Sequence, residues 1–208
     1  TLFPYTTLFR SGVSLQVMDW PSRRTLILAG REDGKNLVWR STDRGATFDR
    51  NGEWAASGSV VPDLLRRLLA DPYFAAPAPK STGFEYFNLE WLDALGVSAH
   101  DPADVQATLC ALTAESIASA VRQEEPGVSE VLVCGGGVHN AELQRRLREC
   151  LGGISIGSTA GAGLDPDWVE AVAFAWLAMR TMRGLPGNLP SVTGARRPAV
   201  LGTIHTPH

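Results

Sequence analysis

The run Val131-Leu132-Val133-Cys134 empties directly into Gly135-Gly136-Gly137, and an amphipathic stretch begins just beyond Asn140. Four apolar residues bounded by glycine have the length of a buried strand. From Ala141 to Leu151, the side chains of Leu143, Leu147 and Leu151 fall on one helical stripe, and Ile154-Ser155-Ile156 follows as a second short strand. Strand, helix and strand in that order form a βαβ unit, which restricts this part of the chain to an α/β fold. The glycines occupy the first turn of the unit. Lacking Cβ atoms, they permit positive φ and let a base, ribose or phosphate lie against the main chain, near the N–H groups that open the helix. A turn made only for packing is the alternative that this stretch alone leaves open.

A chain of 208 residues holds one large domain, or a domain with a smaller appendage, and is long enough to bury a core. Its formal charge of −3 comes from 19 basic and 22 acidic residues that are interspersed. That balance predicts no nucleic-acid partner and no polybasic membrane patch. Cys110, Cys134 and Cys150 form an odd set without metal-ligand spacing, which argues against a disulfide framework and against structural zinc. No apolar span reaches the ~20 residues needed to cross a bilayer, and no secretory leader is evident. The expectation is a cytoplasmic protein.

Residues 1–45 stand apart from the remainder. Thr1 to Ser11 shows neither alternation nor helical periodicity and resembles read-through of a cloning adapter, so the segment is expected to be non-native or frameshifted. Thr25 to Ala29 is a candidate strand. From Trp54 onward the patterning is regular. Ser59 is a candidate N-cap for a helix with Val60, Leu64, Leu65, Leu68 and Leu69 on its apolar face, ending before Asp71-Pro72. Pro77 to Gly83 is a proline-stiffened loop, and Glu85 to Leu95 carries an aromatic-rich short helix or turn whose rings are expected to pack. Asp101-Pro102 opens the next helix, with Val105, Leu109, Leu112, Ile117 and Val121 on its buried face, running to about Arg122. Asp165-Pro166-Asp167 repeats the cap-and-proline signature. The helix it introduces is apolar around most of its circumference up to Gly184, which predicts an inner helix. A turn-rich tail follows, with Val200 to Ile204 as a candidate last strand.

Several chemistries lack their sequence requirements. Lys80-Ser81-Thr82 is preceded by Pro79 rather than by the glycine that a phosphate loop needs. The glycine run puts Asn140 where a dinucleotide fingerprint needs its third glycine or alanine, which weakens a Rossmann reading. Asn140 at the helix start has two readings, a cap alone or a residue that also hydrogen-bonds a sugar hydroxyl or base. Glu170, an acid in the first turn of an apolar helix, is either a partner of the helix dipole or a ligand group. The four histidines have no metal spacing, and neither a serine-hydrolase nor a zinc-protease motif occurs. Asp165 and Asp167 are better explained as a cap than as a catalytic pair.

Four stretches together resemble the carboxyl-terminal half of the anhydro-N-acetylmuramic acid kinases. They are Asp71-Pro72-Tyr73-Phe74 through Lys80-Ser81-Thr82-Gly83 to Asn88; Asp104 to Leu109; Cys134-Gly135-Gly136-Gly137 with Asn140; and Glu170 to Ala178. The run Leu185 to Ala195 closes a match covering roughly residues 46 to 204. The resemblance implies an α/β chain forming a carboxyl-terminal ribonuclease-H-like lobe of an actin-like ATPase fold, a mixed sheet with flanking helices over residues 46–208. It implies a kinase that uses ATP and Mg2+ to open the 1,6-anhydro ring of anhydro-N-acetylmuramic acid and phosphorylate O6. The product is N-acetylmuramate 6-phosphate, formed in cell-wall recycling. Gly135, Gly136, Gly137 and Asn140 would line the adenosine side of the nucleotide, Glu170 would face the sugar cleft, and a homodimer would be the assembly.

The family's amino-terminal lobe carries the first phosphate loop and the base aspartate, and no counterpart is found here. No catalytic residue is therefore carried over, and the chain is expected to be an inactive fragment. At Gly30 to Trp39 the family has a Gly-Pro-Gly-Asn turn leading into a helix, and only Gly30 and Trp39 agree. A non-catalytic nucleotide- or sugar-binding module is the competing class, and a dinucleotide-binding oxidoreductase is a third.

Overall fold

The computed structural model describes residues 16–19, 26–32, 35–41, 51–77, 80, 82 and 86–205. The expected adapter-like segment 1–11, and Pro79, Ser81 and Gly83 of the proline-stiffened loop, lie outside the described residues. Three strands come first: β1 (Gln16–Asp19), β2 (Leu26–Glu32) and β3 (Lys35–Ser41). They form an antiparallel meander in which Leu28 pairs with Val17 on one side and Trp39 on the other. The candidate strand at Thr25 to Ala29 thus falls largely within β2. Where the resembled family has a turn entering a helix, Gly30 here pairs with Leu37 across the β2–β3 ladder.

A helical layer follows. It contains α1 (Glu53–Ser57), α2 (Pro62–Leu69), α3 (Pro72–Ala75), α4 (Leu89–Ala94) and α5 (Pro102–Glu124). Helix α5 runs 23 residues, about 35 Å. Asp101 caps it as expected, its carboxylate accepting from the Ala103 N–H at 2.8 Å, and Pro102 occupies the first turn, where its missing N–H costs nothing. Leu64, Leu65 and Leu68 of α2 pack on Val105, Ala111 and Leu112 of α5, with Trp54, Leu92 and Val97 closing the cluster. Ser59 does not cap α2. The helix begins at Pro62, and the Ser59 N–H instead donates to the Asp104 carboxylate at 2.7 Å. Buried Thr108 completes this attachment, accepting from the Val61 N–H and donating to the Asp104 carbonyl. At Gly58 a Cβ would stand 2.0 Å from the Ala103 carbonyl oxygen, so only glycine allows this loop to lie on α5.

The aromatic stretch packs as expected. Asp71 gathers it, accepting from the Tyr73 N–H, the Tyr86 hydroxyl and the Trp91 indole, each at 2.9 Å. The rings of Tyr73, Phe74, Tyr86, Phe87 and Trp91 meet largely edge to face. Lys80 donates to the Tyr73 and Phe74 carbonyls, capping α3, and its ammonium stands over the Tyr73 ring.

The βαβ unit is present: β4 (Glu130–Val133), α6 (Ala141–Cys150) and β5 (Ser155–Ser158), with the strands parallel and Val133 opposite Ser158. Leu143 and Leu147 of α6 pack on Ala55, Cys110 and Ala114. The described strands thus form two separate sheets, one antiparallel and one parallel, rather than the single mixed sheet expected. The chain is α/β, and its helices pack chiefly on one another.

Helix α7 (Val169–Met182) and a single turn, α8 (Pro190–Thr193), complete the chain. The expectation of an inner helix at α7 is not met, because none of its residues is buried and Phe174 is 63% exposed. The apolar side chains surround the helix, whereas the described chain offers cover on one side only. There the tail lies against Leu177 and Leu201, the Thr181 hydroxyl donates to the Leu201 carbonyl, and Arg180 reaches the Pro186 carbonyl. Gly184 ends the helix at φ 65° with paired bonds from Gly184 to Thr181 and from Leu185 to Arg180, the Schellman arrangement. Residues 200–204 form no strand. The tail is held by the Asn188 amide, which accepts from the Ala199 N–H and donates to the Arg197 carbonyl.

Candidate functional site

Because β4 and β5 are parallel, their carboxyl ends open on one edge, where ligands of parallel α/β units bind. The glycine turn leaves that edge after β4. Of its three glycines only Gly135 has positive φ, at 70° with ψ −169°, a region closed to residues with a Cβ. No atom lies within 4 Å of where its Cβ would be, so backbone conformation rather than crowding demands glycine there. Gly136 to His139 then form one 3-10 turn, whose first N–H groups have no partner inside the turn.

Asn140 is the N-cap of α6. Its side-chain oxygen accepts from the Leu143 N–H at 2.9 Å. The Ala141 N–H is also taken, by the Asn51 carbonyl at 2.9 Å. Two of the N–H groups that open α6 are therefore satisfied within the chain, and in the glycine turn the Gly136 and Gly137 N–H groups are the ones with no partner inside the turn. The turn at Asn51-Gly52 seats against this corner so closely that a Cβ on Gly52 would meet the Asn140 side-chain oxygen at 2.2 Å. Buried Gln144 donates to the Gly137 carbonyl at 3.1 Å and fixes the turn from beneath.

The loop after β5 closes the other side. The Gly135 N–H donates to the Pro166 carbonyl at 2.9 Å, and His139 Nε2 stands 2.8 and 3.1 Å from the two Asp167 carboxylate oxygens. Asp165 does not cap α7; its carboxylate accepts from the Asp167 N–H, and the helix starts at Val169 after Trp168. The cap-and-proline signature makes a turn here, closed by the Asp167 N–H on the Asp165 carboxylate and the Trp168 N–H on the Asp165 carbonyl, and the Asp167 side chain meets His139. Glu170 lies exposed in the first turn of α7, beyond this closure. Direct contact thus unites Gly135, Gly137 and Asn140 with Asn51, Gly52, Gln144, His139 and Asp167, whereas Glu170 is linked to them through the chain alone.

Beneath the turn Glu142 is buried, its carboxylate accepting from Arg145 at 2.6 and 2.8 Å with Arg146 2.7 Å away. The hydrogen bonds from Arg145 hold Glu142 below the ordinary carboxylate value, outweighing the opposite effect of burial. Burial pushes the Cys110 thiol up to about 11. A cavity of about 540 Å³ lies elsewhere, between Tyr73, Phe74 and Lys80 and the later turns of α5, and none of the five site residues expected from sequence lines it. Among the described residues no group of three His, Cys, Asp or Glu is placed to hold a metal, and no helix is long and apolar enough to cross a membrane.

A glycine turn on a parallel βαβ edge is a geometry that nucleotide sites share with turns made for packing, and comparison with known proteins supplies the family. The family model for anhydro-N-acetylmuramic acid kinase matches residues 35–207. An anhydro-N-acetylmuramic acid kinase of Xanthomonas campestris pv. campestris (strain 8004) is 53% identical over 168 residues, covering 80% of this chain and 45% of the relative. The protein of that description from Pseudomonas fluorescens (strain Pf0-1) is 49% identical over 173 residues, 81% of this chain and 47% of the relative. The one from Thiobacillus denitrificans (strain ATCC 25259 / T1) is 51% identical over 171 residues, 81% and 46%. The chain belongs to the anhydro-N-acetylmuramic acid kinase family. It spans a little under half the length of these relatives. The match starts at residue 35 and so takes in the last eleven residues of the 1–45 segment set apart above.

Proposed function

We propose that this chain is the carboxyl-terminal part of an ATP-dependent carbohydrate kinase acting on anhydro-N-acetylmuramic acid in the cytoplasm. The observation that carries this reading is the family match across residues 35–207, which includes the whole glycine-turn corner. In the reaction water adds at the anomeric carbon and gives up a proton, the 1,6-anhydro bond opens, and the freed O6 takes the γ-phosphoryl group of ATP, releasing ADP. The product is N-acetylmuramate 6-phosphate. Gly135, Gly136 and Gly137 supply the backbone surface for the adenosine side, with Asn140 fixing the turn, and Glu170 faces the sugar. Mg2+ enters with the phosphates, in keeping with its preference for one or two carboxylates plus substrate oxygens.

In this reading the fold is one ribonuclease-H-like lobe of an actin-like ATPase, and the working protein is a homodimer. Phosphoryl transfer depends on positioning and on electrostatic stabilisation from both sides of the phosphates, and the described residues furnish one side. The 208-residue chain is expected to bind ATP weakly and to turn over no sugar. A kinase assay on the purified chain tests this: ATP-dependent formation of N-acetylmuramate 6-phosphate would overturn the expected inactivity. Calorimetry with ATP, the anhydro sugar and NAD tests the class, and tight binding of NAD alone would contradict the kinase reading.

A further inference from the structure

We propose that His139 and Asp167 are positioning residues that clasp the nucleotide turn to the start of the helix bearing Glu170. The inference rests on the reading of Gly135 to Gly137 as a nucleotide surface. The two side chains come from loops that follow different strands, 28 positions apart, and meet at 2.8 Å. Asp167 is only 16% exposed in its side chain, so water competes little for the bond. The Asp165-Pro166 turn fixes Asp167 from behind through its N–H, and the Gly135-to-Pro166 bond makes a second tie between the same loops. Two ties prevent the loops from sliding or hinging independently.

This arrangement bears directly on ligand binding. Gly135 adopts a conformation that an isolated glycine visits freely, and an unclasped turn would have to be ordered each time a nucleotide bound. The clasp meets that ordering cost during folding. It also ties the turn to α7, whose acid Glu170 lies three residues after Asp167 and so moves with it. A nucleotide on the turn and a sugar at Glu170 then share one rigid support, through residues that touch neither ligand.

The test is ATP affinity of the 208-residue chain at millimolar nucleotide, with urea unfolding run in parallel. We expect H139A and D167A each to weaken ATP binding about tenfold (~1.4 kcal/mol) with the unfolding midpoint nearly unchanged. The double variant should be no weaker than either single one, because both remove the same contact. H139R should restore affinity, since a guanidinium donates to the same carboxylate. ATP affinity that is unchanged in both single variants, or that falls only in proportion to stability, overturns the proposal. Failure of the unsubstituted chain to bind ATP at all would instead remove the nucleotide reading itself, and the clasp's role with it.

Discussion

Helices α5 and α7 are both rich in alanine and large apolar residues, yet one is the axis of the core and the other has no buried residue. In α5 the buried side chains are mostly apolar and are shared among α1, α2 and α6, whereas Arg122 is exposed, so three neighbouring helices cover it. In α7 Val172 and Trp176, four residues apart, share one face, whereas Phe174 projects to the opposite side. One neighbour cannot cover them all. The difference teaches that an apolar helix reports how much cover it requires, while the identity of the cover is written elsewhere.

The largest test of this contrast is truncation on each helix bundle. Leu68→Ala, at a site with no exposure, should cost about 2–5 kcal/mol in urea unfolding. Phe174→Ala should change stability by about 0.5 kcal/mol or less. Equal losses at the two sites would break the comparison. Next in size is the buried carboxylate of α6. Removing it as Glu142→Ala leaves Arg146 without its partner and should cost about 1–3 kcal/mol. Its pKa is lowered on folding, so its contribution is present above the unfolded value near pH 4.3 and fades as pH falls through the lower folded value. A pH series of unfolding should show that decline in the unsubstituted chain and a flatter course for Glu142→Gln.

A smaller effect separates cap from ligand at the glycine corner. Asn140→Ala should destabilise by about 1 kcal/mol through loss of the bond to Leu143, and Asn140→Ser, which keeps a cap, by a few tenths. If ATP affinity falls for the serine variant while stability holds, Asn140 touches the nucleotide. The smallest effect is thiol chemistry. Exposed Cys134 should alkylate first and buried Cys110 last at pH 8. Because the Cys110 pKa is raised on folding, its stabilising contribution is complete below the ordinary thiol value and is lost as pH climbs toward about 11. Cys110→Ala should remove that alkaline component.

Local signals in the sequence made the βαβ unit, the Asp101-Pro102 helix start and the aromatic cluster legible, because each is dictated within a few residues. Asn140 caps α6, as its place before an amphipathic stretch predicts, and its part in ligand binding is left to the serine variant. What was not legible depends on contacts distant in sequence. Asp165-Pro166-Asp167 has the composition of a cap, but it forms a turn before a helix that begins at Val169, and its Asp167 side chain meets His139 from 28 residues away. Ser59 yields its place at α2 for a similar reason, since Asp104 claims its N–H across 45 positions. Val200 to Ile204 has strand composition but finds no neighbouring strand to pair with among the described residues. The His139–Asp167 contact itself had one sequence signal: two loops leaving the same edge of a parallel pair must lie side by side.

The central claim is that the glycine turn after β4 is the nucleotide surface of this chain. A two-dimensional amide NMR titration of the purified 208-residue protein with ATP tests it most directly. The account predicts concentration-dependent shifts at Gly135, Gly136 and Gly137, spreading to His139 and Asn140. Shifts confined to the cavity by Tyr73, Lys80 and Arg122, with the glycine amides unmoved at saturating ATP, would contradict it.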